Sequence, residues 1–349
     1  MAADNCGQEE TVLPDYGEGA SVPHRAFQAV AKPLFGGGAT FAGDYITESK
    51  QADADKWRAS RLKSYLVEPK MAVSIVTDST SDLTPGIAEE LGITIVPLNV
   101  HFGAATYKDG VDLATEEFYR RLAAGKELPT TSAPSPGEFA EVFEKLAREG
   151  KEVLAITISS KLSATYKAAL DAKEMVEKDC RVEVIDSFLA IGGLGLVVIA
   201  AAKAARAGAS MDEVKNVVYQ SMQKVDLRIA FDTLEYLARG GRIGKAQAFL
   251  GSALKLNPIL SLKDGITVGV TRVRCRAKAV EYLRDFVLGF SEIEELAIED
   301  ATTPEEAHML AQELSAKFPP ERIRWLKITP VIGTHVGPRV LGVAVLPAS

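Results

Sequence analysis

The 349-residue sequence is poor in the side chains that mark most reactive centres: it has three cysteines, four histidines and two tryptophans. Cys6, Cys180 and Cys275 are scattered and form no C-x-x-C pair, which excludes a disulfide framework or a cysteine zinc site and fits a reducing cytoplasm. A basic excess is also missing. Lys and Arg number 40 against 47 Asp and Glu, a net charge of −7, so the broad positive footprint of a nucleic-acid binder is absent. The longest apolar run, Phe188–Ala202 (FLAIGGLGLVVIAAA), falls short of the ~20 residues that a spanning helix needs and predicts a buried helix instead. No charged-then-apolar leader opens the sequence. The phosphate-cradling G-x-x-x-x-G-K-[ST] does not occur, and Gly193-Leu194-Gly195 lacks the third glycine of a dinucleotide loop. The G-x-S-x-G elbow of serine hydrolases is missing too.

What is present is an ordinary soluble composition, 47% hydrophobic and 25% charged, at a length sufficient for two domains. Residues 1–70 differ from the rest. Their first stretch is polar and acidic, and Lys32–Gly43 is broken by Pro and Gly. Ala52–Leu66 reads as one amphipathic helix with Trp57, Leu62 and Leu66 on a face, so an extension of modest order is expected there, with no assignable function. From residue 71 strands and helices alternate: a strand over Ala72–Val76, a helix opened by Thr84-Pro85 and closed by Gly92, and a strand over Ile93–Val100. The hydroxyl-rich loop Pro129–Pro136 comes next, then the strand Val153–Ile158, which runs into a helix from Leu162. This order predicts a parallel sheet covered by helices on both faces, a three-layer α/β/α domain over residues 71–225. Residues 226–349 predict a second, smaller α/β domain with a mixed sheet, in which Asp264-Gly265 turns a hairpin between Asn257–Leu262 and Ile266–Val273.

Ligands of parallel sheets bind at the carboxyl ends of the strands, and three such ends carry hydroxyls. These are the loop after Val76, the Thr130–Ser135 segment, and Ser159, Ser160, Ser163 and Thr165. Backbone N–H groups and hydroxyls meeting at a strand-to-helix turn suit a carboxylate or phosphate, although a serine there also serves as a plain helix cap. Asp78 and Asp82 have a spacing that would fit a metal, and fit a turn cap followed by a helix-opening carboxylate better. His335 lies in a Gly- and Pro-rich loop where packing requires no histidine, which marks it as a functional candidate; His24, His101 and His308 have no such setting. Ser163, Asp186 and His335 follow the chain order of a hydrolase triad, without the elbow that exposes the nucleophile. Arg239, Arg242, Lys245, Arg272, Arg274, Arg276 and Lys278 form two basic clusters, either a solvated face or a docking surface for an acidic partner.

Five segments together resemble the DegV family of bacterial fatty-acid-binding proteins, whose members include the FakB subunit of fatty acid kinase. They are Val76–Leu83 (VTDSTSDL), Thr131–Pro136 (TSAPSP), Ser159–Tyr166 (SSKLSATY), Leu237–Ile243 (LARGGRI) and Gly333–Pro338 (GTHVGP). The likeness spans about residues 72–346 and excludes the first 70.

The resemblance implies two α/β domains with a long-chain fatty acid between them. The carboxylate would meet Thr131, Ser163 and His335, with Ser132 close by, and Ser160, Thr334 and Arg339 are further candidate contacts. Phe188–Ala202 would wall the acyl tunnel. Arg239, Arg242, Arg272 and Arg274 would dock an ATP-dependent, DAK-type kinase subunit that phosphorylates the bound acid for phospholipid synthesis. The chain itself would then be a non-enzymatic cytoplasmic carrier with no metal and no cofactor, the fatty acid being its ligand. Ala164 and Arg339 stand where the family commonly has glycine, and Arg339 is a bulky cation that would reshape the carboxylate end or pair with it. A carrier or sensor without a kinase is the alternative, and a Ser163/His335 hydrolase a more distant one.

Overall fold

The computed structural model describes residues 72–125, 128–176, 180–250 and 256–348, all within one compact unit. The extension expected over residues 1–70, with its helix at Ala52–Leu66, lies outside the described residues.

In chain order the first half holds β1 (Val73–Asp78), α1 (Pro85–Leu91), β2 (Ile93–Val96), β3 (Asn99–Phe102), β4 (Ala105–Lys108), α2 (Thr115–Ala124), β5 (Thr130–Ser132), α3 (Pro136–Arg148), β6 (Glu152–Thr157), α4 (Thr165–Met175), β7 (Val182–Asp186), α5 (Ile191–Arg206) and α6 (Met211–Lys224). The second half holds β8 (Asp226–Ala230), α7 (Glu235–Arg239), β9 (Asn257–Lys263), β10 (Ile266–Val273), α8 (Arg276–Leu288), β11 (Ile293–Asp300), α9 (Pro304–Ser315), β12 (Ile323–Lys327), α10 (Pro330–Val336) and β13 (Leu341–Pro347).

Strands β2-β1-β6-β7 form an all-parallel sheet. Strand alternation sends Val73, Ile75, Leu154 and Ile156 to one face and Val76, Val153 and Ala155 to the other. The second group packs with Phe139 and Phe143 of α3 and the alanines of α4, and the first faces α5, which gives the expected three layers. The second sheet, β10-β9-β8-β13-β11-β12, is mixed: β11 and β12 run parallel and the remaining pairs antiparallel. Its Leu296, Ile298, Val343 and Val345 pack under α8 and α9, while Leu227, Ile229, Ala297 and Ala344 face α5.

Helix α5 therefore lies between the two sheets, packed on β1 on one side and on β8, β11 and β13 on the other. Every residue from Ile191 to Ala202 is buried, as its composition demands of a helix apolar all round. It begins three residues later than the sequence suggested, because Phe188 and Ile191 take positive φ and turn the chain first.

Other boundaries moved for identifiable reasons. The strand expected over Ile93–Val100 is split, since Pro97 cannot donate to a ladder. Its second part, β3, pairs with β4 and β5 in a separate three-stranded sheet. The segment expected as a loop at Thr130–Ser135 thus begins as the short strand β5, opposite Asn99, Val100 and His101. The Asp264-Gly265 hairpin forms as expected, with φ of 52° and 80° at the two turn positions.

Candidate functional site

The carboxyl ends of all four parallel strands open onto one cavity of about 300 Å³. Leu98 follows β2, Thr80 follows β1, Ile158, Leu162, Ser163 and Ala164 follow β6, and Ala190 and Ile191 follow β7. Ile229, Phe231, Leu237 and Leu262 close it from the second half, with Val331, Ile332 and Val336 of α10. Thr131, Ser132, Ser163, Arg242, Thr267 and His335 add polar groups to this apolar wall. Only the first turn of α5 reaches the cavity. Of the segment Phe188–Ala202, expected to wall an acyl tunnel, Ala190 and Ile191 line the cavity, while the body of the helix fills the space between the sheets.

Thr131 Oγ1 and His335 Nε2 are 2.8 Å apart and join β5 to α10. His335 is not in a loop, as its glycine and proline neighbours suggested, but in the last turn of α10, a helix with Pro330 at its start and Gly337 after it. The Thr329-Pro330 pair repeats the Thr84-Pro85 start of α1, and was a readable helix signal. Burial pushes the His335 imidazole down to about 4, and the charge of Arg242 adds to this. Its Nδ1 is buried without a partner. A Cβ at position 240 would sit 2.3 Å from that nitrogen, so Gly240 is required for close approach.

Ser163 lies in the turn before α4, which starts at Thr165 rather than Leu162. Its hydroxyl shares a hydrogen bond with Thr165 Oγ1 at 2.8 Å and accepts from Thr165 N. Arg242 Nε donates to Leu162 O at 3.0 Å, which brings the guanidinium beside Ser163. A second cavity of about 260 Å³, lined by Tyr236, Arg239 and Thr334 among others, shares Thr131, Arg242 and His335 with the first.

The remaining candidates are placed as follows. Ser132 lines the main cavity and its Oγ meets Nε2 of His101 at 3.0 Å and Nδ2 of Asn99 at 3.3 Å. Thr334 donates to Pro330 O and borders only the second cavity. Ser160 is exposed and lines neither cavity; its N–H donates to Asp186. Arg339 lines neither, and is drawn to Asp232 and Glu306. Arg239 lies over Tyr236 and Arg272 over Phe249, whereas exposed Arg274 borders neither cavity.

Asp186 accepts from the N–H groups of Ser160 and Phe188, and the triad of Ser163, Asp186 and His335 is not assembled. Asp78 accepts from Thr80 N, Thr80 Oγ1 and Ile158 N; Asp82 accepts from Thr329 N and Oγ1. Asp78 caps the turn that follows it, but the Asp82 carboxylate does not open the next helix, which Thr84 caps, and reaches Thr329 instead. The described residues contain no group of three or more His, Cys, Asp or Glu able to hold a metal. Burial drives both carboxyls upward, and the charge of Glu299 adds to the effect on Asp82. Among the described residues no helix is long and apolar enough to cross a membrane.

Sequence reasoning missed Arg242 and Thr267 as cavity residues and His101 as a partner of Ser132. The alternation of Asn99–Phe102 buries Val100 and Phe102, so Asn99 and His101 share the other face; what could not be read was that β5 lies alongside.

A family model described as "Uncharacterised protein, DegV family" matches residues 72–348. A DegV domain-containing protein of Caldanaerobacter subterraneus is 39% identical over 78% of this chain and 97% of its own length. Two solved structures align over 80% of this chain and all of theirs. One, described as fatty acid binding of a DegV family protein from Thermus thermophilus, has 34% identity and a TM-score of 0.74. The other, described as DegV, a fatty acid binding protein from Bacillus subtilis, has 31% identity and a TM-score of 0.72.

Proposed function

The chain belongs to the DegV family, and from that premise we propose that it binds one long-chain fatty acid in the cavity between residues 71–225 and 226–349. The observation that carries this reading is the mixed wall: a mostly apolar enclosure in which Thr131, Ser132, Ser163, His335 and Arg242 supply the polar groups. An alkyl chain gains about 0.8 kcal/mol for each methylene taken from water. Its carboxylate keeps that gain only if hydrogen bonds replace its hydration. Hydroxyls of Thr131 and Ser163 donate one proton each. A carboxylate only accepts, so the neutral His335 serves in the tautomer whose Nε2 carries the proton: it donates to Thr131 Oγ1 and leaves that hydroxyl's proton for the carboxylate, while Arg242 supplies the positive charge. The relatives described as fatty-acid binding support the ligand class.

The chain would act by presentation. A partner kinase of DAK type transfers the γ-phosphoryl group of ATP to the bound carboxylate, giving ADP and an acyl phosphate that the cavity keeps from water. Arg239, Arg272 and Arg274 offer that partner a cationic surface, and Arg242, which borders both cavities, stands between it and the carboxylate.

Native mass spectrometry of the purified protein, followed by solvent extraction and identification of the released molecule, tests the reading. One long-chain acid per chain is the expected result. A protein that is empty and takes up neither palmitate nor oleate overturns it.

A further inference from the structure

The Asp78–Asp82 motif plays no direct part in the reading above, yet its second carboxylate is tied to the helix that carries His335. Asp82 is 1% exposed and sits at φ 53°, a left-handed conformation that aspartate tolerates better than most residues. Its Oδ1 accepts both Thr329 N, at 3.0 Å, and Thr329 Oγ1, at 2.8 Å. Thr329 is the cap residue of α10, but its hydroxyl does not cap that helix; it is turned to Asp82 instead. Two positions on, Val331 N donates to Asp109, another buried carboxylate of the first half. The first turn of α10 is thus held by oxygen acceptors from the opposite half of the molecule. His335 stands at the other end of that helix, six residues from Thr329, and α10 is too short to bend between them. The same turn, Ser79–Asp82, also holds the cavity wall: Ser79 Oγ accepts from Leu98 N, and Thr80 lines the cavity itself.

We propose that Asp82 is a positioning residue for ligand binding: by fixing Thr329 it sets α10 so that His335 stays at Thr131 and faces the bound carboxylate. This inference rests on the reading of the cavity as a fatty-acid site, and its test is chosen to separate the two. In full-length protein labelled with ¹⁵N-histidine, the His335 ring signals are identified by their loss in His335→Gln and followed without ligand. Oleate affinity is measured in parallel. Asp82→Ala and Thr329→Val are expected to shift the His335 ring signals and to weaken oleate binding about ten-fold, the loss of one good hydrogen bond. Asp82→Asn keeps an oxygen acceptor at the same place and is expected to restore both. In the His335→Gln background, Asp82→Ala is expected to cost little more. Ring signals unmoved by Asp82→Ala and Thr329→Val overturn the proposal, as does a fully additive loss in the double variant. Should Asp82→Ala not fold, Thr329→Val removes only the hydroxyl and decides alone. If the unsubstituted protein takes up no oleate, the lipid reading falls, and the ring signals still decide whether Asp82 positions His335.

Discussion

Thr131 Oγ1 and His335 Nε2 meet at 2.8 Å although 204 positions separate them in the chain. One belongs to the small three-stranded sheet and the other to a short helix of the second half, so the pair exists only once both halves have packed on α5.

Removing a polar group from this junction should reduce affinity and leave the fold intact. Ser163→Ala or His335→Ala is expected to weaken fatty-acid binding by about 1–3 kcal/mol, the range for losing a hydrogen bond to a charged group. Titration with a fluorescent long-chain acid reads this directly, and unchanged affinity in both variants removes these residues from the site.

Gly240→Ala should act on His335 from behind. The backbone at 240 has an ordinary φ of −74°, so the alanine is tolerated by the chain, but its methyl would overlap Nδ1 at 2.3 Å. Overpacking of this kind costs about 1–3 kcal/mol. A lowered Tm together with weaker ligand binding is expected, and the fall in affinity should vanish in a His335→Ala background.

The pH dependence of stability should carry the mark of His335. With its imidazole at about 4 in the folded protein against 6.5 ordinarily, the unfolded chain binds more protons between those values. Stability is therefore expected to fall as pH drops from 6.5 towards 4. Urea unfolding across that window should show a shallower dependence in His335→Gln, and an identical slope would contradict the burial of the neutral ring.

Glu299 should give the opposite trend at higher pH. It is fully buried, its Oε2 accepts from Gly192 N at the start of α5, and burial raises it to about 8 from 4.5. Here the folded state binds the extra proton, so stability is expected to decline as pH rises from 4.5 to 8. Glu299→Gln retains the acceptor for Gly192 and should flatten that decline in the same urea series.

Surface arginines provide the test of partnership. Arg272→Ala with Arg274→Ala is expected to leave oleate affinity unchanged and to slow acyl-phosphate formation by a cognate kinase. Equal losses in both assays would assign these arginines to the ligand site or the fold.

Local chemistry made much of this legible. The apolar runs Ala72–Val76 and Val153–Ile158, the Pro start of α1 and the Asp264-Gly265 turn are properties of neighbouring residues, and the structure follows them to within two residues. Ser163 and Thr131 could be singled out because hydroxyls cluster at strand ends. What escaped notice depends on pairing between distant segments. Nothing within Thr130–Ser135 says that β3 will lie beside it, and Arg242 enters the cavity only because the chain after α7 folds back on Leu162. His335 was singled out as a loop histidine, and the structure puts it in a helix. Its glycine neighbours suggested a loop, while the proline that opens its helix lay five residues upstream.

The burial of α5 bears on how any ligand could enter. A helix whose residues from Ile191 to Ala202 are all enclosed, with sheets on both flanks, acts as a shared keel. Swinging the halves apart like a clamshell would wet the face of α5 that the departing sheet covers, together with that sheet's own apolar face, at about 25 cal/mol for each Å². Exchange is cheaper through small displacements of pieces that border the cavity, such as the hairpin that brings Leu262 and Thr267 to it, whose turn accepts a hydrogen bond from Ser159 Oγ at Gly265 O. Uptake should then proceed while the keel stays dry, and amide exchange in α5 should remain slow even as ligand comes and goes.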